Sequence, residues 1–199
     1  MKKELNILLI ASYFNIFGFG FFGPIYALYV KEIGGTILDT SLSWAIYSLV
    51  MGVLIIIFGK LEDKILNKRK MIVIGYFILA FGILSYAFVQ DKTQLFIVQI
   101  INGIGVAVLN PAFKTIFSKD EDKGRESYEW SLWEGGEKIM LGTSALIGGI
   151  IVTYFGFKIM FYIMFIMQLF GALISINILS YDNHKKHKHS NTHTISFSK

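Results

Sequence analysis

Cysteine is absent from the 199 residues, so neither a disulfide framework nor a thiolate metal site can form. Only two prolines occur and no biased repeat runs through the chain, which removes the collagen-like and fully disordered classes. Charge is scarce as well: Asp, Glu, Lys and Arg make up 17% of the chain, against roughly 25% in soluble domains. Histidine is confined to His184, His187, His189 and His193, so no nucleophile and histidine pair is available within the apolar part of the chain. An enzyme is therefore not expected, and neither is a cofactor or a metal. What the chain has in excess is apolar surface, with 54% hydrophobic residues and a mean hydropathy of +0.56.

A membrane-crossing helix needs about 20 predominantly apolar residues. Six runs meet this requirement, over residues 6–30, 41–59, 71–89, 95–117, 137–155 and 159–180. Short connections make them antiparallel neighbours. Residues 1–180 are expected to form one six-helix transmembrane domain, and 181–199 a disordered, basic, His-rich cytoplasmic tail. The first run is too long, and its glycine-rich middle too polar, for a cleaved signal sequence.

Of the 19 Lys and Arg, 15 fall at the N-terminus, between runs two and three, at the end of run four and in the loop after it, and in the tail. Lys31, Lys92 and Lys158 fall in the opposite loops. Positive loops stay cytoplasmic, so a multi-pass protein of the plasma (inner) membrane with both termini cytoplasmic is expected. The net charge of +5 reflects this bias, and nucleic acid is not an expected partner because no basic stripe is interleaved with exposed aromatics. The tail is read as a juxtamembrane segment drawn to anionic lipid.

Polar side chains inside hydrocarbon are costly and face a bundle interior or a cavity. Ser12, Asn15, Phe19, Phe22, Tyr26 and Tyr29 recur every three or four residues and share one arc of the first helix. Gln99, Asn102, Val106, Asn110 and Phe113 do the same in the fourth. Two such stripes are expected to line a cavity for a small-molecule solute, with Ser12, Asn15, Tyr26, Gln99 and Asn102 as its polar contacts. The alternative is that the amides tie helices together by interhelical hydrogen bonds. Runs two and five instead carry small residues on one side: Ser41, Ala45, Ser48, Gly52 and Gly59 in one, and Gly142, Ala145, Gly148 and Gly149 in the other. Small residues let helices approach closely, either within the six-helix unit or against another unit. Glu134, Glu137 and Lys138 read as an exposed, salt-bridged helix start, with a proton relay or gate as the alternative.

The chain also looks duplicated. Gly18, Gly20, Gly23 and Pro24 are echoed by Gly103, Gly105, Asn110 and Pro111, and each half has three helices. An odd number of crossings inserts the second copy upside down, giving the inverted 3+3 arrangement of secondary transporters.

The loop after run two reads Gly59-Lys60-Leu61-Glu62-Asp63-Lys64 and continues to Lys68-Arg69-Lys70. It resembles the signature loop of the major facilitator superfamily, Gly-x-Leu-x-Asp-Arg-x-Gly-Arg-Lys. Gly59, Leu61 and Asp63 match, Lys64 replaces the first arginine, and Leu66 stands at the later glycine. Run four, Gln99-x-x-Asn102-Gly103-x-Gly105, is similar to the family's Arg-x-x-x-Gly helix, with Gln99 at the arginine. Run five has Gly148-Gly149 but Ala145 where the antiporter-type motif places proline. The resemblance spans residues 5–180. It implies an all-α membrane fold, one six-helix half of a major-facilitator transporter, with a cavity between helices one and four. It also implies a cytoplasmic gate at Gly59, Asp63, Lys64 and Arg69. The contact between halves falls on Ser48, Gly52, Gly142, Ala145 and Gly149. Without the arginine and the proline, the resemblance stops short of proton-coupled drug antiport, and a coupling proton or ion is left open. Family members have twelve helices, so the expectation is a half-size transporter working by alternating access as a homodimer. A separately encoded second half, and a non-transporting subunit, scaffold or truncated remnant, are the alternatives.

Overall fold

The computed structural model describes residues 1–62, 64 and 67–181. The expected tail, apart from Tyr181, lies outside the described residues. The helices are α1 (Lys3–Gly20), α2 (Tyr26–Glu32), α3 (Ile37–Glu62), α4 (Lys68–Tyr86), α5 (Lys92–Asp120) and α6 (Glu126–Ile176), with short 3-10 turns at Gly23–Ile25 and Asn177–Leu179. Their starts are written locally. Thr36 and Asp39 cap α3 reciprocally, each side chain accepting the other's backbone N–H at 3.2 and 2.9 Å. Asn67 accepts from the Lys70 N–H at 3.0 Å to cap α4. Asp91 accepts from Thr93 and Gln94 at 2.8 and 2.9 Å to cap α5.

Two boundaries differ from the sequence expectation. Run one is not a single helix: α1 ends at Gly20, and α2 begins only after the 3-10 turn at Gly23–Ile25. Pro24 has no N–H to donate to the carbonyl of Gly20 and its ring crowds that carbonyl, so the ladder is interrupted there. Runs five and six are joined in one helical stretch of 51 residues, broken at Gly156, where φ is 78° and ψ is 170°. A straight helix of that length would run to about 75 Å, more than twice the hydrocarbon thickness.

The neighbours of α1 show that the chain reverses at Gly156. The Tyr13 hydroxyl donates to the Leu132 carbonyl at 2.5 Å, Gly20 packs on Leu141 and Ser144, and Gly148 packs on Phe21. Residue numbers rise together, so this part of α6 runs parallel to α1. Beyond the break, Gly18 packs on Met164 and Gln168, and Gly171 on Ala11, so the second part runs antiparallel. Six crossings result. The break conformation is available essentially to glycine alone, so Gly156→Ala is expected to cost about 1–3 kcal/mol in detergent unfolding titrations.

Buried side chains form two clusters at opposite ends. At the end carrying the basic loops, Leu5, Leu8, Ile72, Tyr76, Phe113, Ile116, Phe117 and Ile178 pack together with Trp130 and Trp133 against them. At the far end, Phe21, Phe22, Tyr26, Tyr29, Tyr86, Phe157 and Phe161 form an aromatic plug. Phe22 lies edge-on to Tyr26, Tyr29, Tyr86 and Phe161 with centroids 5.0–5.3 Å away. Pro24 follows the plug residue Phe22, whereas Pro111 precedes Ala112 and Phe113 of the basic-end cluster. The matched prolines therefore sit at opposite ends, as an inverted 3+3 repeat requires.

Candidate functional site

Between the two clusters lies a cavity of about 360 Å³. α1 contributes Ser12, Asn15 and Phe19; α5 contributes Asn102, Val106, Asn110, Phe113 and Lys114. Tyr47 of α3, Tyr76 of α4, and Trp133, Glu137, Leu141 and Gln168 of α6 complete most of its wall. Half of the first polar stripe and four of the five residues of the second thus line one space. Asn15 Nδ2 donates to Gln168 Oε1 at 3.0 Å, which ties α1 to the second part of α6 at the wall. Ser12 Oγ donates to the Leu9 carbonyl at 2.9 Å, and Asn102 Nδ2 to the Val98 carbonyl at 2.9 Å. Asn102 is 2% exposed, and its Oδ1 has no hydrogen-bond partner among the described residues. Gly82 makes room for this amide, since a Cβ there would stand 2.7 Å from Oδ1.

Tyr26 and Gln99 are placed elsewhere. Gln99 donates to the Tyr26 hydroxyl, which is bonded to Ser43 Oγ at 2.5 Å. All three are buried. They knit the α2 end of run one, α3 and α5 together around a recess of only about 20 Å³ beside the aromatic plug. Gln168, Tyr47, Tyr76, Lys114 and Trp133 are wall residues that the two stripes did not include. Gln168 had a legible signal, an amide inside an otherwise apolar run.

At the basic end, ion pairs join three helices. Arg69 of α4 forks onto Glu4 of α1, with Nε to Oε1 at 2.6 Å and Nη2 to Oε2 at 3.0 Å. Lys68 Nζ donates to both Oε1 and the carbonyl of Glu62 at 2.9 Å, linking α4 to α3. Lys64 is exposed, Gly59 is half-buried with open space where a Cβ would stand, and Asp63 lies outside the described residues. In the loop before α6, the amino terminus meets Asp122 at 2.8 Å. That hydrogen bond, helped by the charges of the amino terminus, Lys2 and Arg125, holds the Asp122 carboxyl below its ordinary range against some desolvation.

The small-residue stripes divide. Gly148 faces inward onto the Phe21 backbone, whereas Gly52, Gly142 and Gly149 have nothing within 4 Å of a built Cβ. Ser48 and Ala145 are half-buried.

The fold is that of known transporters. A crystal structure of the peptide transporter POT in complex with sulfate superimposes with a TM-score of 0.76 at 18% identity, covering 89% of this chain and 38% of that one. The POT family transporter PepTSo gives 0.68 at 12% identity, covering 88% and 37%. In sequence, an uncharacterized MFS-type transporter of Methanocaldococcus jannaschii is 29% identical over 175 residues, 88% of this chain and 45% of that protein. The multidrug resistance protein MdtG of Salmonella schwarzengrund is 29% identical over 168 residues, 80% of this chain and 40% of MdtG. The chain therefore spans a little under half the length of these relatives. The family model of the Major Facilitator Superfamily matches residues 8–198, nearly the whole chain. With its multi-pass helical fold, this chain belongs to the Major Facilitator Superfamily of transporters.

Proposed function

We propose that this six-helix unit moves a small solute by alternating access through the cavity between α1, α5 and α6, and that it is a transporter rather than an enzyme. The observation that carries the proposal is the amide-lined cavity held between an aromatic plug and an ion-paired basic end. Ser12, Asn15, Asn102 and Gln168 contact the solute. The bond set of Gln99, Tyr26 and Ser43 keeps the far end shut, and its separation opens that end. At the basic end, Gly59, Asp63, Lys64 and the ion pairs of Arg69 and Lys68 form the opposing gate. The lysine and arginine bias supports a plasma membrane location with both termini cytoplasmic. A second six-helix unit, proposed to be a second copy of the chain, closes the cavity across α3 and the first part of α6. The unpacked glycines Gly52, Gly142 and Gly149 support that placement.

The MdtG relative is a multidrug resistance protein, so fluorescent dyes are the first probes. Neutral, cationic and anionic dyes are offered to proteoliposomes containing the full chain. Asn15→Ala is expected to slow the transported dye about tenfold, the value of one good hydrogen bond to a buried partner. Ser118→Ala, on an exposed position of α5, leaves the rate unchanged. An unchanged rate in Asn15→Ala removes the cavity assignment. Movement of no dye by an intact assembly favours the non-transporting subunit.

A further inference from the structure

Lys114 is counted with the positive loops of the sequence although it lies within run four; on α5 it stands in the cavity wall with its side chain exposed. Among the described residues it has no ion-pair or hydrogen-bond partner. Glu137, the acid of the same wall, is paired at 3.1 Å with Lys138, so the exposed ammonium of Lys114 is the one basic group among the described residues lining the cavity and has no carboxylate bonded to it. A second donor is idle as well. Trp133 Nε1 is buried and has no acceptor among the described residues, an arrangement that native proteins seldom leave without a ligand or water. Trp133 packs on Phe113, the neighbour of Lys114, with centroids 5.3 Å apart. The remaining surface of the cavity is largely aromatic and apolar, with Phe19, Tyr47, Tyr76 and Phe113 in its wall.

An ammonium and an indole N–H without acceptors, set in an aromatic wall, select an anionic oxygen group attached to an apolar body. We propose, resting on the solute-cavity reading above, that the cavity takes small organic carboxylates. The carboxylate accepts from Lys114 Nζ and Trp133 Nε1 while the body lies against the rings. A cavity of about 360 Å³ has room for a single-ring acid. Neutral analogues of the same shape keep the ring contacts but leave the ammonium unanswered.

The test compares radiolabelled benzoate with benzamide, its uncharged isostere, by scintillation proximity on the full chain in nanodiscs, with empty nanodiscs subtracted. Benzoate is expected to bind about tenfold more tightly than benzamide. The ratio falls to about one in Lys114→Met, survives in Lys114→Arg, and drops a few-fold in Trp133→Phe, which keeps the ring but loses the N–H. Equal affinities, or a preference untouched by Lys114→Met, overturn the carboxylate assignment while the solute cavity stands. Binding of neither compound overturns it too, and the dye panel with Asn15→Ala then decides the cavity separately.

Discussion

Replacing Arg69 by methionine is expected to destabilise the chain by about 3–5 kcal/mol, the loss seen when one partner of a buried ion pair is removed. Glu4 is 5% exposed and the Arg69 side chain nearly as enclosed, so the fork between them is shielded from water. Asp120 also stands close enough to Glu4 to interact with it. Without the guanidinium, two carboxylates face each other at the end of α1. Lys2, half exposed and 3.9 Å from Asp120, is a weak substitute. The double variant Glu4→Gln with Arg69→Met removes both charges and fills similar volume, so it should recover most of the loss. Unfolding titrations of the two single variants and the double variant in mixed micelles give the coupling between them. A loss below about 1 kcal/mol in Arg69→Met would mean that the fork acts as an exposed pair and that α1 is held to α4 by packing alone.

The six crossings were legible because each is a run of apolar residues long enough for a bilayer and bounded by charge. The faces of helices one and four were legible because 100° per residue puts Asn15 with Ser12, and Asn102 with Val106 and Asn110, on single arcs. Depth was not. Gln99 and Asn102 share an arc but differ by about 4.5 Å along the axis, which places Gln99 beside the aromatic plug and Asn102 at the cavity. Only the packed neighbours set where that plug begins. Lys114 was hidden for another reason: although inside run four, it lies near the basic end and was counted with the loop charges rather than placed on a face. The basic end shows a third limit. The motif directed attention to Asp63, which lies outside the described residues, and gave no sign that Glu62 and Glu4 pair with Lys68 and Arg69. Glu4 meets Arg69 across 65 positions, a contact decided by the docking of α1 on α4.

Neighbouring glycines on α6 should give opposite outcomes when each is replaced by leucine. At Gly148 a Cβ would stand 2.4 Å from the Phe21 carbonyl oxygen and 2.7 Å from its Cα. Both are backbone atoms, in the segment where α1 ends, and cannot rotate aside as a side chain can. Gly148→Leu is therefore expected to cost about 3 kcal/mol or more, at the upper end of overpacking penalties, and to lower the yield of folded protein. At Gly149 the built Cβ meets nothing within 4 Å, so Gly149→Leu folds with near-normal stability. Its effect lies outside the six-helix unit. If a second copy packs on this face and on Gly52 of α3, the purified chain has twice its 22.6 kDa mass by native mass spectrometry. Gly52→Leu with Gly149→Leu then returns it to the mass of one chain, because leucine holds the helices apart where glycine let them meet. A complex whose mass is the same with and without the two leucines would place the second unit elsewhere. A folded chain that is always single would remove the second copy. The contrast with Gly148 keeps these outcomes apart from simple misfolding, since only the inward glycine should affect the unfolding midpoint.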